Sequence, residues 1–367
     1  MSSAIKPQAP RPRSSKAFRW FAWITLLLAS AQFVRCYMIV TFLIYTKPFF
    51  DLRQYAAGVE RMPFQGRMLM MFPLRWAERS PLLARMTAGK MPPFNSPEEL
   101  VITLVGLASV VLTGVLVTWL YRRLSPTTPF IYLPFALTLV FLVSNYLLHM
   151  PFMIMYPYDL LGVLFFTAGV TLIYTRRFWL LLPVFIAGCF NRETMLFLVP
   201  LFLVDGLAAE NNFDWKRLKK LSLPAQTLAL CAIWLAIHVY ILHRFRANHG
   251  EFYPQNLDPG ATHRHLNFMY LLQLKFWPQL DNACAYMLPF LILLRRYIFP
   301  FRLRAYILVL PLWVLTMVVF GLLPETRIYG ELSGLVAVLA TMLLEGYVKA
   351  RAQRGEFQKE SQRASIA

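Results

Sequence analysis

From Leu100 to Tyr121 no charged side chain interrupts the chain, and a helix that crosses the hydrocarbon core of a bilayer needs about 20 such residues. Runs of similar character recur at 20–45, 99–120, 128–148, 158–175, 222–242, 281–299, 303–323 and 332–348. With 58% hydrophobic residues and a mean hydropathy of +0.50, the 367-residue chain carries more apolar surface than a soluble domain of this size can bury. The expected solvent is lipid. The first run follows Lys6, Arg11, Arg13, Lys16 and Arg19 as a signal peptide would. It is too long for a signal h-region and lacks a small-residue cleavage site, so it reads as a membrane anchor.

The stretch 178–205 departs from this pattern, because Asn191-Arg192-Glu193-Thr194 divides two apolar runs of about a dozen residues each. One helix carrying that group at its centre would bury it in lipid at high cost, whereas two short helices in a hairpin bring it to the membrane face. The expected fold is an all-α, polytopic bundle of about ten membrane segments. Lys and Arg test the layout independently, since cytoplasmic loops carry the positive excess. The tail to Arg19, Arg122-Arg123, Arg176-Arg177, Lys216 to Lys220, Arg295 to Arg304 and the tail from Lys349 all fall on one side if both termini are inside. The expected organisation is a disordered basic cytoplasmic tail over 1–19, a transmembrane domain over 20–348 with external loops 46–98 and 243–280, and an unstructured cytoplasmic tail over 349–367.

The formal net charge of +19 does not indicate nucleic acid, because the basic residues sit in short clusters between apolar runs. Cys36, Cys189, Cys231 and Cys284 lie in or beside apolar segments without CxxC spacing, which points away from disulfides and zinc. The segment from Arg67 to Trp76 alternates long apolar side chains with guanidinium groups, as suits a helix in the headgroup layer. Arg35, well inside the first span, is expected to pair with a carboxylate or line a polar cavity.

Polar clusters that topology does not explain gather on the external side. They are Asp51 to Tyr55 with Glu60, Pro63 to Arg67, Tyr156 to Asp159, Asn191 to Thr194, His263 to His265 and Glu325 to Glu331. Asp51 and Glu193 are the candidate bases. Arg67, Arg192 and Arg327 offer planar forks for phosphate, with Tyr156, Asp159 and Glu325 beside them as substrate-binding candidates. Each has a plainer reading: Asp51 as a solvated loop residue, Asp159 as a helix cap, and Asn191 to Thr194 as a cap with a local ion pair. His243, His249, His263 and His265 match no zinc spacing, so no metal site is assigned.

In three places the sequence resembles the GT-C superfamily of integral-membrane glycosyltransferases. Asp51, in Phe50-Asp51-Leu52-Arg53-Gln54-Tyr55, stands where that superfamily has an acidic residue just after the first span. Ala187 to Pro200 is similar to its polar turn between short helices, and Glu325-Thr326-Arg327 to the Glu-x-Arg stretch of some mannosyltransferase branches. The resemblance implies an enzyme that transfers a sugar from a polyprenyl-phosphate donor at the external face of a multi-pass membrane protein, with bacterial inner membrane as the expected location. Its implied partners are membrane lipid and the lipid-linked sugar, not nucleic acid. The first loop has no Asp-x-Asp or paired acidic motif, so a divalent cation stays an open cofactor. Two other functions stay open at this point: a transporter or flippase for an anionic or lipid-linked glycan, and a non-catalytic membrane subunit.

Overall fold

Where no water is available to satisfy backbone amides, an apolar chain satisfies them within helices. The computed structural model describes residues 16–48, 50–89, 91, 94–148, 155–248, 263–278, 283–321, 323 and 325–366, and these are helical with no strand among them. The elements are α1 (Lys16–Cys36, continued by a π-helical stretch Tyr37–Thr46), α2 (Leu52–Ala57), α3 (Met71–Arg79), α4 (Pro81–Met86), α5 (Pro97–Leu124), α6 (Leu133–Leu147), α7 (Asp159–Tyr174), α8 (Phe178–Asn191), α9 (Leu198–Leu207), α10 (Ser222–Arg244), α11 (His263–Leu272), α12 (Met287–Leu293), α13 (Phe301–Ala305), α14 (Val309–Phe320) and α15 (Ser333–Ile366). Most of the 1–19 tail and residues 249–262 of the second external loop, including His249, lie outside the described residues.

Among the described residues, five helical stretches are long and apolar enough to cross a membrane: Lys16–Thr46, Pro97–Leu124, Ser222–Arg244, Phe301–Phe320 and Thr326–Arg354. Helix α5 shows why the sequence makes such an element. Ser96 caps it by accepting from the Glu99 amide, Pro97 starts it, Glu98 and Glu99 sit in the first turn and Arg122 and Arg123 in the last, each matching the helix dipole. The Thr326–Arg354 stretch is the central post, 89% buried over its apolar window, whereas Ser222–Arg244 runs along the outside with only 11% buried.

Helices α8 and α9 form the hairpin. The chain leaves α8 through Arg192 in an extended conformation (φ −157°, ψ 142°), takes a 3₁₀ turn over Glu193–Phe197 and returns as α9, so that the Phe178 and Phe202 rings meet at 5.6 Å. Side-chain contacts sort the molecule into two ends. At one, Ser125 and Tyr121 bond Glu345, Arg302 bonds Asp205, and Arg217 bonds the carbonyls of Gly206 and Ala208, which gathers the basic clusters there. The first turn of α7, about 24 Å away along a 16-residue helix, marks the other end.

Three expectations are corrected. The run 281–299 is not one helix: the Cys284 and Ala285 amides donate to the side chains of Asn145 and Ser144 instead of to helix carbonyls, and among its described residues only the seven of α12 are α-helical. The stretch beyond Lys349 is not unstructured, since α15 continues to Ile366, built from residues of high helix propensity. Arg35 lies exposed on α1 with no carboxylate partner among the described residues. As expected of an amphipathic segment, α3 buries Met71 and Leu74 and leaves Phe72 and Trp76 exposed.

Candidate functional site

Asp159 begins α7 fully buried, and it does not cap that helix by accepting from the turn ahead of it. Its carboxylate accepts from the Tyr156 amide (3.0 Å) and the Tyr37 hydroxyl (3.3 Å), and it faces two guanidinium groups, Arg192 Nη1 at 3.2 Å and Arg327 Nη1 at 3.6 Å. The extended backbone at the hairpin break is what delivers Arg192, whose side chain is 2% exposed and whose Nε lies 2.9 Å from Glu331 Oε1. Glu331, also fully buried, accepts from the Thr194 hydroxyl at 2.6 and 2.8 Å. Asp159, Arg192 and Glu331 therefore form a closed inner layer.

A second layer lies outside the first. Arg67, delivered by the long first loop, makes a fork with Glu193 (Nη2–Oε1 2.7 Å, Nε–Oε2 3.2 Å) and donates through Nη1 to the Tyr158 hydroxyl at 3.0 Å. The Tyr55 hydroxyl donates to the carbonyl of Arg67 and so fixes its backbone. Arg327 pairs with Glu325 and lies 4.4 Å above the Tyr156 ring. Tyr156 stacks on Tyr158 at 5.4 Å and on Phe64 at 4.7 Å, which gives the arginines an aromatic floor. Glu193 is the accessible acid, with 45% of its side chain exposed. It sits at the hairpin tip outside the helices; burial works against its charge, but the Arg67 guanidinium outweighs burial and holds the carboxyl at about 2.

Seven of the eight residues singled out from the sequence meet in this assembly: Arg67, Tyr156, Asp159, Arg192, Glu193, Glu325 and Arg327. Asp51 stands at its rim. Its exposed carboxylate caps α2 by accepting from the amides of Arg53 (2.8 Å) and Gln54 (3.3 Å), and its neighbour Phe50 packs on Tyr156 at 5.4 Å. Sequence reasoning passed over Tyr37, and it held Tyr158, Thr194 and Glu331 within its polar clusters without assigning them a place in the site. A hydroxyl within the first apolar run was a signal for Tyr37, and a second carboxylate six residues after Glu325 was one for Glu331.

Counting charges, four carboxylates (Asp159, Glu193, Glu325, Glu331) face three guanidiniums (Arg67, Arg192, Arg327). A divalent cation does not fit this set: each acid is engaged by an arginine, and among the described residues no three His, Cys, Asp or Glu side chains are grouped for a metal. Arg67 and Arg327 lie nearer the surface than Arg192, with side chains 10% and 9% exposed against 2%, and Arg327 also reaches Asp159 of the inner layer. No family model, curated protein or solved structure matches the chain.

Proposed function

We propose that this chain is a membrane-embedded glycosyltransferase that moves a sugar from a polyprenyl-phosphate donor to an acceptor at the external membrane face, in the inner membrane of a bacterium. The observation that carries this reading is the grouping of two outer arginines, Arg67 and Arg327, with a half-exposed carboxylate on one polar end of an apolar bundle. The proposal includes a multi-pass bundle with both termini inside, supported by the gathering of basic clusters at the opposite end.

In this reading the donor phosphate binds Arg67 and Arg327, while Arg192 is the strut that holds Asp159 and Glu331 behind them. A carboxylate takes the proton of the acceptor hydroxyl, the oxygen forms a bond to the anomeric carbon, and the carbon–oxygen bond to phosphate breaks to release polyprenyl phosphate. Glu193 is a weak base while it is paired to Arg67, since an effective base titrates near the working pH. Phosphate on Arg67 removes that partner and restores its basicity. Asp51, at the rim, is the competing base.

The test is transfer from a polyprenyl-phosphate sugar in membranes carrying Asp51→Asn or Glu193→Gln. Asn caps a helix as well as Asp does, so lost transfer in Asp51→Asn reports chemistry and not folding. Undiminished transfer in both variants removes both proposed roles. A second reading, a transporter or flippase for the same anionic glycan, is favoured by the broken α8–α9 hairpin, because discontinuous helices line transport sites. Flipping in proteoliposomes with no product formed would select it.

A further inference from the structure

At the basic end, between the last turn of α7, the hairpin and the start of α10, lies a cavity of about 400 Å³ that the chemistry above does not use. Its lining is amphiphilic: Phe178, Phe202 and Leu223 form an apolar wall, and Arg176, Arg217 and Lys220 supply positive charge. Ser222, Leu223 and Gln226 of α10, the least buried of the long apolar helices described, complete the lining.

Two of the three cations are uncommitted. Arg217 is used within the protein, bonding Asp214 and the carbonyls of Gly206 and Ala208, and so it shapes the wall. The acid in the lining, Asp205, has its charge balanced by Arg302 and accepts from the Tyr306 hydroxyl. Among the described residues neither Arg176 nor Lys220 forms an ion pair. Arg176 also breaks a local rule. The Arg176 amide bonds Ile173 O and the Arg177 amide bonds Leu172 O, the pattern that ends a helix with a left-handed residue, and that residue is normally glycine. Here an arginine holds φ 56°. A conformation that glycine would adopt freely is thus occupied by a long cation at the cavity mouth.

We propose that this cavity binds an anionic membrane phospholipid, with its headgroup phosphate between Arg176 and Lys220 and an acyl chain along Phe178, Phe202 and Leu223. A phosphate charge fits the uncommitted cations, and an apolar wall formed in part by an outward-facing helix fits a chain that stays in the bilayer; basic pockets between membrane helices take such headgroups. This inference does not depend on glycosyl transfer.

Native mass spectrometry of the full chain in mild detergent, titrated with phosphatidylglycerol or with phosphatidylcholine of the same chain length, tests it. The wild type is expected to retain phosphatidylglycerol preferentially, and Arg176→Gly and Lys220→Ala each to weaken that retention about fivefold. Lys216→Ala/Lys219→Ala removes two charges from the neighbouring turn outside the cavity and is expected to leave it unchanged. Arg176→Gly is expected to melt no lower than wild type, since glycine takes the left-handed conformation without strain, which separates lost binding from lost folding. Equal retention of the two lipids, equal losses in the control double variant, or displacement of the lipid by equimolar inorganic phosphate would each overturn the proposal.

Discussion

Both ends of the bundle bury carboxylates against cations, but they do so on different terms. At the basic end each acid has its own dedicated partners: Asp205 takes Arg302 and the Tyr306 hydroxyl, and Glu345 takes Lys349, Ser125 and Tyr121. These are clasps between helices. At the polar end Asp159 is shared between two arginines and Arg192 between two acids, with one carboxylate in excess over the guanidiniums. A clasp is complete in itself, whereas the shared network runs out to a rim where the Glu193 side chain meets the surface. Desolvating so many ions costs more than packing apolar residues would, so stability alone does not account for such a network.

The comparison can be broken most directly by removing one cation from each end. Arg192→Leu leaves Asp159 and Glu331 buried beside an apolar side chain, and a loss on the order of 3–5 kcal/mol is expected in the unfolding of the detergent-solubilised protein. Arg302→Leu is expected to cost less, about 1.5–3 kcal/mol, because the Tyr306 hydroxyl still serves Asp205 and the site is less enclosed. Equal losses would erase the distinction between network and clasp.

Two glycines near the ends of the central post sharpen the contrast. A Cβ at Gly346 would lie 1.9 Å from the backbone oxygen of Tyr297, and one at Gly330 would lie 2.1 Å from the Tyr146 hydroxyl. Backbone yields less readily than a ring, so Gly346→Ala is expected to cost the more of the two, within about 1–3 kcal/mol. A smaller loss for Gly346→Ala than for Gly330→Ala in the same unfolding measurement would show that the basic end is the softer one.

The smallest effect belongs to the outermost pair. Glu193→Gln is expected to change stability by less than about 1 kcal/mol, because the Glu193 side chain is half exposed and water screens its pairing with Arg67. Because Arg67 holds this carboxyl at about 2, below its ordinary value of 4.5, the pair's contribution is present above pH 4.5 and is lost as the pH falls toward 2. The melting-temperature difference between wild type and Glu193→Gln should therefore stay flat near neutrality and shrink only in acid. A difference that already changes between about pH 6 and 8 would mean that Arg67 does not hold Glu193 as described.

Much of this arrangement is legible along the chain. Apolar runs fix where helices form, because lipid leaves the backbone no other partner. The polar group at Asn191 to Thr194 fixes where one run must fold back. Clustered arginines and lysines separate the two ends before any contact is known. The internal failure at 281–299 was not legible, since it depends on Asn145 and Ser144 capturing amides from another part of the chain.

Sequence alone determined the one-dimensional pattern of apolarity and charge, and with it the helical class and the gathering of acids and arginines toward one end. Tertiary structure decided which of them touch, across separations of 33 residues for Arg192 and Asp159, 126 for Arg67 and Glu193, and 137 for Thr194 and Glu331. It alone set Arg192 deepest with Arg67 and Arg327 closer to the surface, and left Asp51 as an exposed helix cap. The physical reason is that the hydropathy pattern depends on each residue's own transfer energy, whereas an ion's partner and exposure depend on every segment packed around it.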